Sequence, residues 1–177
     1  MAVNLSSRQL FDTDLVAEVK AALSASDLQG DALVLEITER LLLVDSPFVL
    51  MQLDELKQLG VRIAIDDFGT GYSSLAYLRD FPIDILKIDR SFVEALDSDR
   101  QAVALAKSIV GIADALHLDV IAEGAETLAQ VQVLADIGCR VIQGYYFGRP
   151  NSAKELSGCL ATSQAVERIS PVRSRVN

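Results

Sequence analysis

A chain of 177 residues with 50% hydrophobic content is long enough for one sizeable core and too apolar to be disordered. Its 25 acidic against 16 basic residues give a net charge of -9, which argues against a nucleic-acid polymer as partner, because such a groove needs a basic face. A small phosphorylated ligand stays open, since bound cations reverse the local field.

In chain order, short apolar runs alternate with helical patterns. Ala2-Val3-Asn4-Leu5 is the first run. Asp14 to Leu23 is a short helical pattern, and Ala32 to Ile37 is the second run. Ser46-Pro47 reads as an N-cap with proline at the first helical position; Phe48, Met51, Leu53, Leu56 and Leu59 follow near helical spacing, and Gly60 ends the helix. Val61 to Ile65 is the third run and Ile85 to Ile88 the fourth. A long apolar stripe from Asp99 to Leu116 predicts a helix, followed by the fifth run, Val120-Ile121-Ala122. Thr127 to Ile137 predicts another helix, stopping at Gly138, and Val141-Ile142-Gln143 is the sixth run. Ser152-Ala153-Lys154-Glu155 fits a capping box for a weaker last helix. Residues 1–160 are expected to form the domain and 161–177 a loose tail.

Most of the runs are continuously apolar, which predicts a parallel sheet buried on both faces. Repeated strand–helix units fit either a doubly wound sheet or a (β/α) barrel. Asn4, Glu36, Asp66, Lys87, Glu123 and Gln143 each lie in or at the end of a different run, 20 to 36 residues apart. Polar groups from six strand ends fit a barrel better, because all its strand ends converge on one mouth. A (β/α)8 barrel takes typically about 250 residues and at least about 200. Six units fit in 177 residues, and the first begins almost at Met1. The expectation is therefore an incomplete TIM-barrel-like fold, with the first two units missing.

Ile63-Ala64-Ile65-Asp66-Asp67-Phe68-Gly69-Thr70-Gly71 delivers two adjacent carboxylates at a strand end, before a glycine-bearing turn. With Glu36, Asn4 and Glu123 at neighbouring strand ends, these oxygens suit hard divalent cations. Two such ions could grip a phosphodiester and acidify a water. Lys87 among them could orient that water, or accept its proton if its pKa were lowered. Each residue also has an ordinary alternative: Asp66 as a helix cap, Glu39 or Glu126 as first-turn acids, Lys87 as an ion-pair partner of Asp89. Cys139 and Cys159, far apart and in no metal-ligand spacing, fit free thiols in a reducing cytoplasm. No apolar run is long enough to span a bilayer, and the opening residues do not read as a signal peptide.

Several segments together carry a resemblance. They are Val3-Asn4-Leu5-Ser6, Leu35-Glu36-Ile37-Thr38-Glu39, Asp66 to Leu75, Leu86-Lys87-Ile88-Asp89-Arg90-Ser91-Phe92-Val93, Ala122-Glu123-Gly124-Ala125-Glu126-Thr127 and Gln143-Gly144-Tyr145. In this order the chain resembles the EAL domain, a bacterial phosphodiesterase of cyclic di-GMP built as a modified TIM barrel. The resemblance implies Mg²⁺ or Mn²⁺ in a two-metal site at Asn4, Glu36, Asp66, Asp67 and Glu123. It implies Lys87 and Glu123 as catalytic residues and Gln143 near the substrate. It implies Glu39 as support for the loop that begins at Phe68 and Gly69, a region also used in homodimers. The family's signature Glu-Ala-Leu segment, which supplies a further metal ligand upstream of the Val3-Asn4 match, is not matched. Two expectations follow: a phosphodiesterase opening cyclic di-GMP to the linear dinucleotide, or an inactive EAL-like module that binds cyclic di-GMP or a protein partner.

Overall fold

The computed structural model describes residues 1–43, 46–69, 75–150 and 152. The capping box expected at Ser152, Cys159 and the expected tail over 161–177 involve residues outside that description. Two compact units divide the chain, Met1–Phe147 and Gly148–Asn177. In the second, the described residues Gly148 to Pro150 and Ser152 form no helix or strand.

The first unit is a six-stranded parallel sheet in the order of the sequence. The strands are β1 Ala2–Asn4, β2 Val34–Thr38, β3 Arg62–Phe68, β4 Ile85–Ile88, β5 Asp119–Ala122 and β6 Val141–Ile142. Helices α1 Ser7–Leu10, α2 Leu15–Ser26, α3 Pro47–Gln58, α4 Leu75–Asp80, α5 Arg90–Glu94, α6 Arg100–Ala115 and α7 Leu128–Asp136 connect them. Short 3-10 turns occupy Gly30–Ala32 and Glu39–Leu43. Strands that add one after another through helical crossovers belong to the barrel class, because a doubly wound sheet reverses its order at a switch point.

Local chemistry explains the helix starts. Ser46, Asp89, Asp99 and Thr127 each accept a backbone N–H of the turn they precede. Thr127 and Gln130 form a full capping box. A second box, Ser6 with Gln9, begins α1, which the apolar pattern does not reveal because the helix has only 4 residues. Asp27 and His117 take left-handed backbone after α2 and α6, the usual C-terminal stop.

One face of the sheet carries the core. Leu35, Ile37, Ile63, Ile65, Leu86 and Ile88 are buried in the same cluster as Leu53 and Leu56 of α3, Ala106, Ile109 and Val110 of α6, and Leu134 of α7. On the opposite face Val34, Arg62 and Ile121 are half-buried, and Asp119 and Val141 are exposed. Burial on both faces therefore holds for β4 but not for β2 or β6. Among the described residues, burial on the second face centres on Ala64 of β3 with Ile85 and Lys87 of β4. Arg62 and Asp119 pair on this second face near the amino ends of β3 and β5, leaving the carboxyl ends for the remaining polar groups.

Candidate functional site

Strand register places six polar residues on one face. Asn4 pairs in register with Glu36, Glu36 with Ala64, Ala64 with Ile85, Lys87 with Ile121 and Ile121 with Val141. Residues two apart on a strand share a face. Asn4, Glu36, Asp66, Lys87, Glu123 and Gln143 therefore point to the same side, near the strands' carboxyl ends. Asn4 and Gln143 stand at its exposed edges, on or beside β1 and β6. The Gln143 backbone donates to Ala122 O at 2.8 Å and accepts from Ala125 N–H at 3.2 Å.

Lys87 is the centre of the group. All four residues of β4 are buried, so an unmatched ammonium there would be costly. Its Nζ lies 2.8 Å from Glu36 Oε1, 2.9 Å from Asp66 Oδ1 and 2.8 Å from Glu123 Oε1. Asp66 Oδ1 is within ion-pair reach of Nζ yet has no hydrogen bond of acceptable direction, and it is the one such buried side-chain atom among the described residues. Asp89 is not the partner of Lys87. It caps α5, accepting from the Ser91 backbone N–H at 3.0 Å and from the Ser91 hydroxyl.

One cation faces three acids, and the electrostatics follow from that ratio. Burial acts to lower the Lys87 pKa, but its contacts with Glu123, Glu36 and Asp66 outweigh burial and raise it above the ordinary lysine value. Lys87 is thus an ammonium at neutral pH, which fits orienting a water and not taking its proton. Glu123 moves the other way in meaning: burial raises its carboxyl pKa, Asp66 and Glu36 add repulsion, and the pull of Lys87 does not cancel them. The two shifts look opposed, one favouring the ion pair and one disfavouring the carboxylate. Both hold because the cluster is short of positive charge.

Asp66 and Asp67 part company. A register irregularity lies between Ile65 and Phe68, and Asp67 takes left-handed backbone at φ 55°. Bulges re-aim side chains, and such strain in a non-glycine residue marks an over-determined site. Asp66 joins Lys87, whereas Asp67 meets Asp89; burial raises the Asp67 pKa, with the charges of Asp66 and Asp89 adding to it. Beyond the pair, Phe68 is buried and Gly69 has φ 96°, with a methyl there placed 2.9 Å from the Phe92 ring. Buried Glu39 accepts the Gly69 N–H through Oε2 at 2.8 Å. Glu39→Ala is expected to destabilise the fold by about 2 kcal/mol, because a charged acceptor of a backbone N–H is lost. Urea unfolding measures this, and amide exchange at Gly69 should quicken in parallel.

A model of the EAL domain matches residues 1–150. The chain belongs to the EAL domain family. Within it, this EAL chain is 43% identical over 161 residues to the bifunctional diguanylate cyclase/cyclic di-GMP phosphodiesterase MucR of Pseudomonas aeruginosa, covering 91% of the chain and 24% of that protein. It is 44% identical over 150 residues to the cyclic di-GMP phosphodiesterase NbdA of the same organism, covering 85% of the chain and 19% of that protein. The EAL chain thus spans a quarter or less of the length of these relatives. Against the solved MucR phosphodiesterase in complex with c-di-GMP, the TM-score is 0.82 at 44% identity, over 88% of this chain and 63% of that one. A complex of Klebsiella pneumoniae BlrP1 with manganese and cyclic di-GMP matches at TM-score 0.78 and 33% identity, over 84% of this chain and 38% of that one. The fold is that of the EAL TIM-barrel-like domains, here as six consecutive strands.

The donor set of this EAL domain fits a divalent cation in chemistry. Its acids are hard, acceptor-only oxygens, and one of them is buried without a hydrogen bond. Among the described residues, however, no three His, Cys, Asp or Glu side chains close on one another as a ready metal cage. The Lys87 ammonium takes that central place. Among the described residues no helix is long and apolar enough to cross a membrane.

Sequence reasoning missed one cluster at this mouth. Arg90 bonds Glu94 through Nε at 2.5 Å and Glu126 through Nη2 at 2.9 Å. The letters Glu94-Ala95-Leu96 do occur here, but at the end of α5, where Glu94 serves Arg90 and is remote in role from a signature ligand. The i, i+4 spacing of Arg90 and Glu94 was the available signal; the link to Glu126 was not readable locally.

Proposed function

We propose that this chain is a divalent-metal-dependent phosphodiesterase module that opens cyclic di-GMP to the linear dinucleotide. The observation that carries the reading is Lys87 held by Glu36, Asp66 and Glu123, acids of three different strands, at the carboxyl-end mouth of an EAL fold. Asn4, Glu36, Asp66, Asp67 and Glu123 are the residues that would hold Mg²⁺ or Mn²⁺. When bound, such ions supply charge stabilisation at the phosphoryl oxygens and a more acidic water. Lys87, kept protonated by its three acids, would orient the attacking water with an N–H that is freed when a cation takes over one of those acids. Glu123, whose Oε1 lies 2.8 Å from Lys87 Nζ, would take a proton from a water bound beside that ammonium. Gln143 stands on the same face, one strand further, and offers an amide to the substrate. Glu39 fixes the turn after Asp67 through Gly69.

Purified chain incubated with cyclic di-GMP and Mg²⁺ or Mn²⁺ should release linear pGpG. A second reading, binding without turnover, is favoured by the Lys87 ammonium standing at the centre of Glu36, Asp66 and Glu123. Saturable calorimetric binding of cyclic di-GMP with no linear product at any protein concentration would overturn catalysis and establish that second reading.

A further inference from the structure

The segment Glu123 to Glu126 leaves the end of β5 with Ala125 buried in the core, its C=O accepting the Tyr146 N–H at 3.0 Å, and with Glu123 and Glu126 more open on either side. Glu123 N–H donates to Ile88 O at 3.1 Å, and Ala125 N–H to Gln143 O at 3.2 Å. Between them, Gly124 has φ 79°. A methyl built there would lie 2.4 Å from Arg90 Cγ and 2.8 Å from Arg90 Cβ. The aliphatic stem of Arg90 thus lies across Gly124, in the space a side chain would need. Its guanidinium then ties Glu94 of α5 to Glu126, just beyond Gly124. Gln130 completes the frame: its Oε1 accepts the Glu126 N–H at 2.8 Å, and its Nε2 donates to Glu94 O at 3.4 Å.

We propose that Arg90 is a positioning residue that clamps the Glu123–Glu126 segment onto the β4–α5 junction and so sets where the Glu123 carboxylate meets Lys87. Both ends of the Lys87–Glu123 contact run into this clamp. Lys87 precedes Arg90 by three residues through Ile88, and Glu123 precedes Gly124 directly. Arg90, Glu94 and Glu126 are exposed, so the clamp contributes little to global stability. Its effect is local, on the direction of one carboxylate. That the carboxylate serves a cation rests on the phosphodiesterase reading; the clamp itself does not.

The test compares the full chain with Arg90→Ala, Arg90→Lys and Gly124→Ala. Urea unfolding, amide exchange and titration with Mn²⁺ alone, read by water-proton relaxation, are measured on each. Arg90→Ala should leave the urea midpoint close to that of the parent. It should speed amide exchange at Glu123 and Ala125 while Ile88 and the α6 amides keep their protection. Mn²⁺ affinity should fall roughly 10-fold, the lower end of the loss seen when a partner behind a metal ligand is removed. Arg90→Lys keeps the stem and one charge and should lie between the two. Adding Arg90→Ala to Gly124→Ala should cost less than the sum of the single changes, because removing the stem relieves the added methyl. Unchanged exchange at Glu123 and Ala125 in Arg90→Ala overturns the clamp. Faster exchange with unchanged Mn²⁺ affinity overturns its positioning role. Absence of Mn²⁺ binding in the parent chain sinks the phosphodiesterase reading, while exchange and the double change still decide the clamp.

Discussion

Replacing Lys87 with methionine is expected to lower the unfolding free energy by about 3–5 kcal/mol, the cost of breaking a buried ion pair from one side. Lys87 is buried, and its Nζ is the countercharge for Glu36, Asp66 and Glu123 at 2.8 to 2.9 Å. Methionine fills the volume but leaves three acids facing one another. The opposite substitution is informative. Glu123→Gln should cost less than about 1 kcal/mol, because Glu123 is ionised against the preference set by burial, Asp66 and Glu36. Urea unfolding at pH 7 without divalent ions measures both. A Lys87→Met loss below about 1 kcal/mol would show that the acids separate freely once the ammonium is gone, and the cluster would not be a rigid site.

Mn²⁺ or Mg²⁺ is expected to stabilise the chain strongly at neutral pH, by about 2.7 kcal/mol at 100 times the dissociation constant. The sign of the pH effect follows from the carboxyl shifts. Asp67 and Glu123 have raised pKa values in the fold. A raised carboxyl contributes stability that is full below the ordinary carboxylate range and is lost as pH rises through the raised value. Metal-free stability should therefore fall as pH rises from about 4, and divalent ions should reverse the fall, since they bind the ionised acids. Asp67→Asn should flatten the metal-free slope, and Asp66→Asn should remove most of the cation's effect. Asp89, whose pKa is lowered because bonds from Ser91 and the Arg90 backbone outweigh its burial, acts only on the acid side, where its contribution disappears as pH drops below 3.8. A midpoint insensitive to saturating Mn²⁺ at pH 7 would sink the metal assignment.

In the phosphodiesterase proposed above, a cation would compete with the ammonium for the same oxygens, which makes Lys87 more than a bystander. In the free chain it keeps Glu36, Asp66 and Glu123 converged on one point. A site held open by a lysine need not assemble its acids from a repelling, spread arrangement when a cation arrives. Groups arranged in advance lose less on binding than groups gathered at that moment. The same balance explains why an exposed clamp such as Arg90 can matter: small changes in the direction of Glu123 change one of the three carboxylate contacts of Nζ among the described residues.

Much of the fold was legible because its signals are local. Ile85 to Ile88 is a strand over the residues its apolar run occupies, and α6 begins one residue after its cap Asp99. Polar residues at six strand ends, spaced like β–α–β units, identified the face on which the candidate site lies. The short helices α1 and α5 were not legible from periodicity, since 4 or 5 residues cannot display a repeat. Burial on both faces was expected because most of the runs are continuously apolar, yet Val34, Ile121 and Val141 are half-buried or exposed. An apolar side chain records what can be buried, while the neighbours decide what is.

The sequence by itself determined the order of the six strands and the longer helices, the acidic character of one mouth and the membership of this chain in its family. These depend on propensity, caps and residue identity along short stretches of chain. Only the tertiary structure decided that Lys87 serves Glu36, Asp66 and Glu123 and leaves Asp89 to cap α5, that Asp66 and Asp67 turn to different partners, and that Arg90 reaches Glu126. The reason is geometric. Which side chains meet depends on strand register, on the irregularity between Ile65 and Phe68 and on the curvature of the sheet, and all three arise from pairing between segments far apart in the chain.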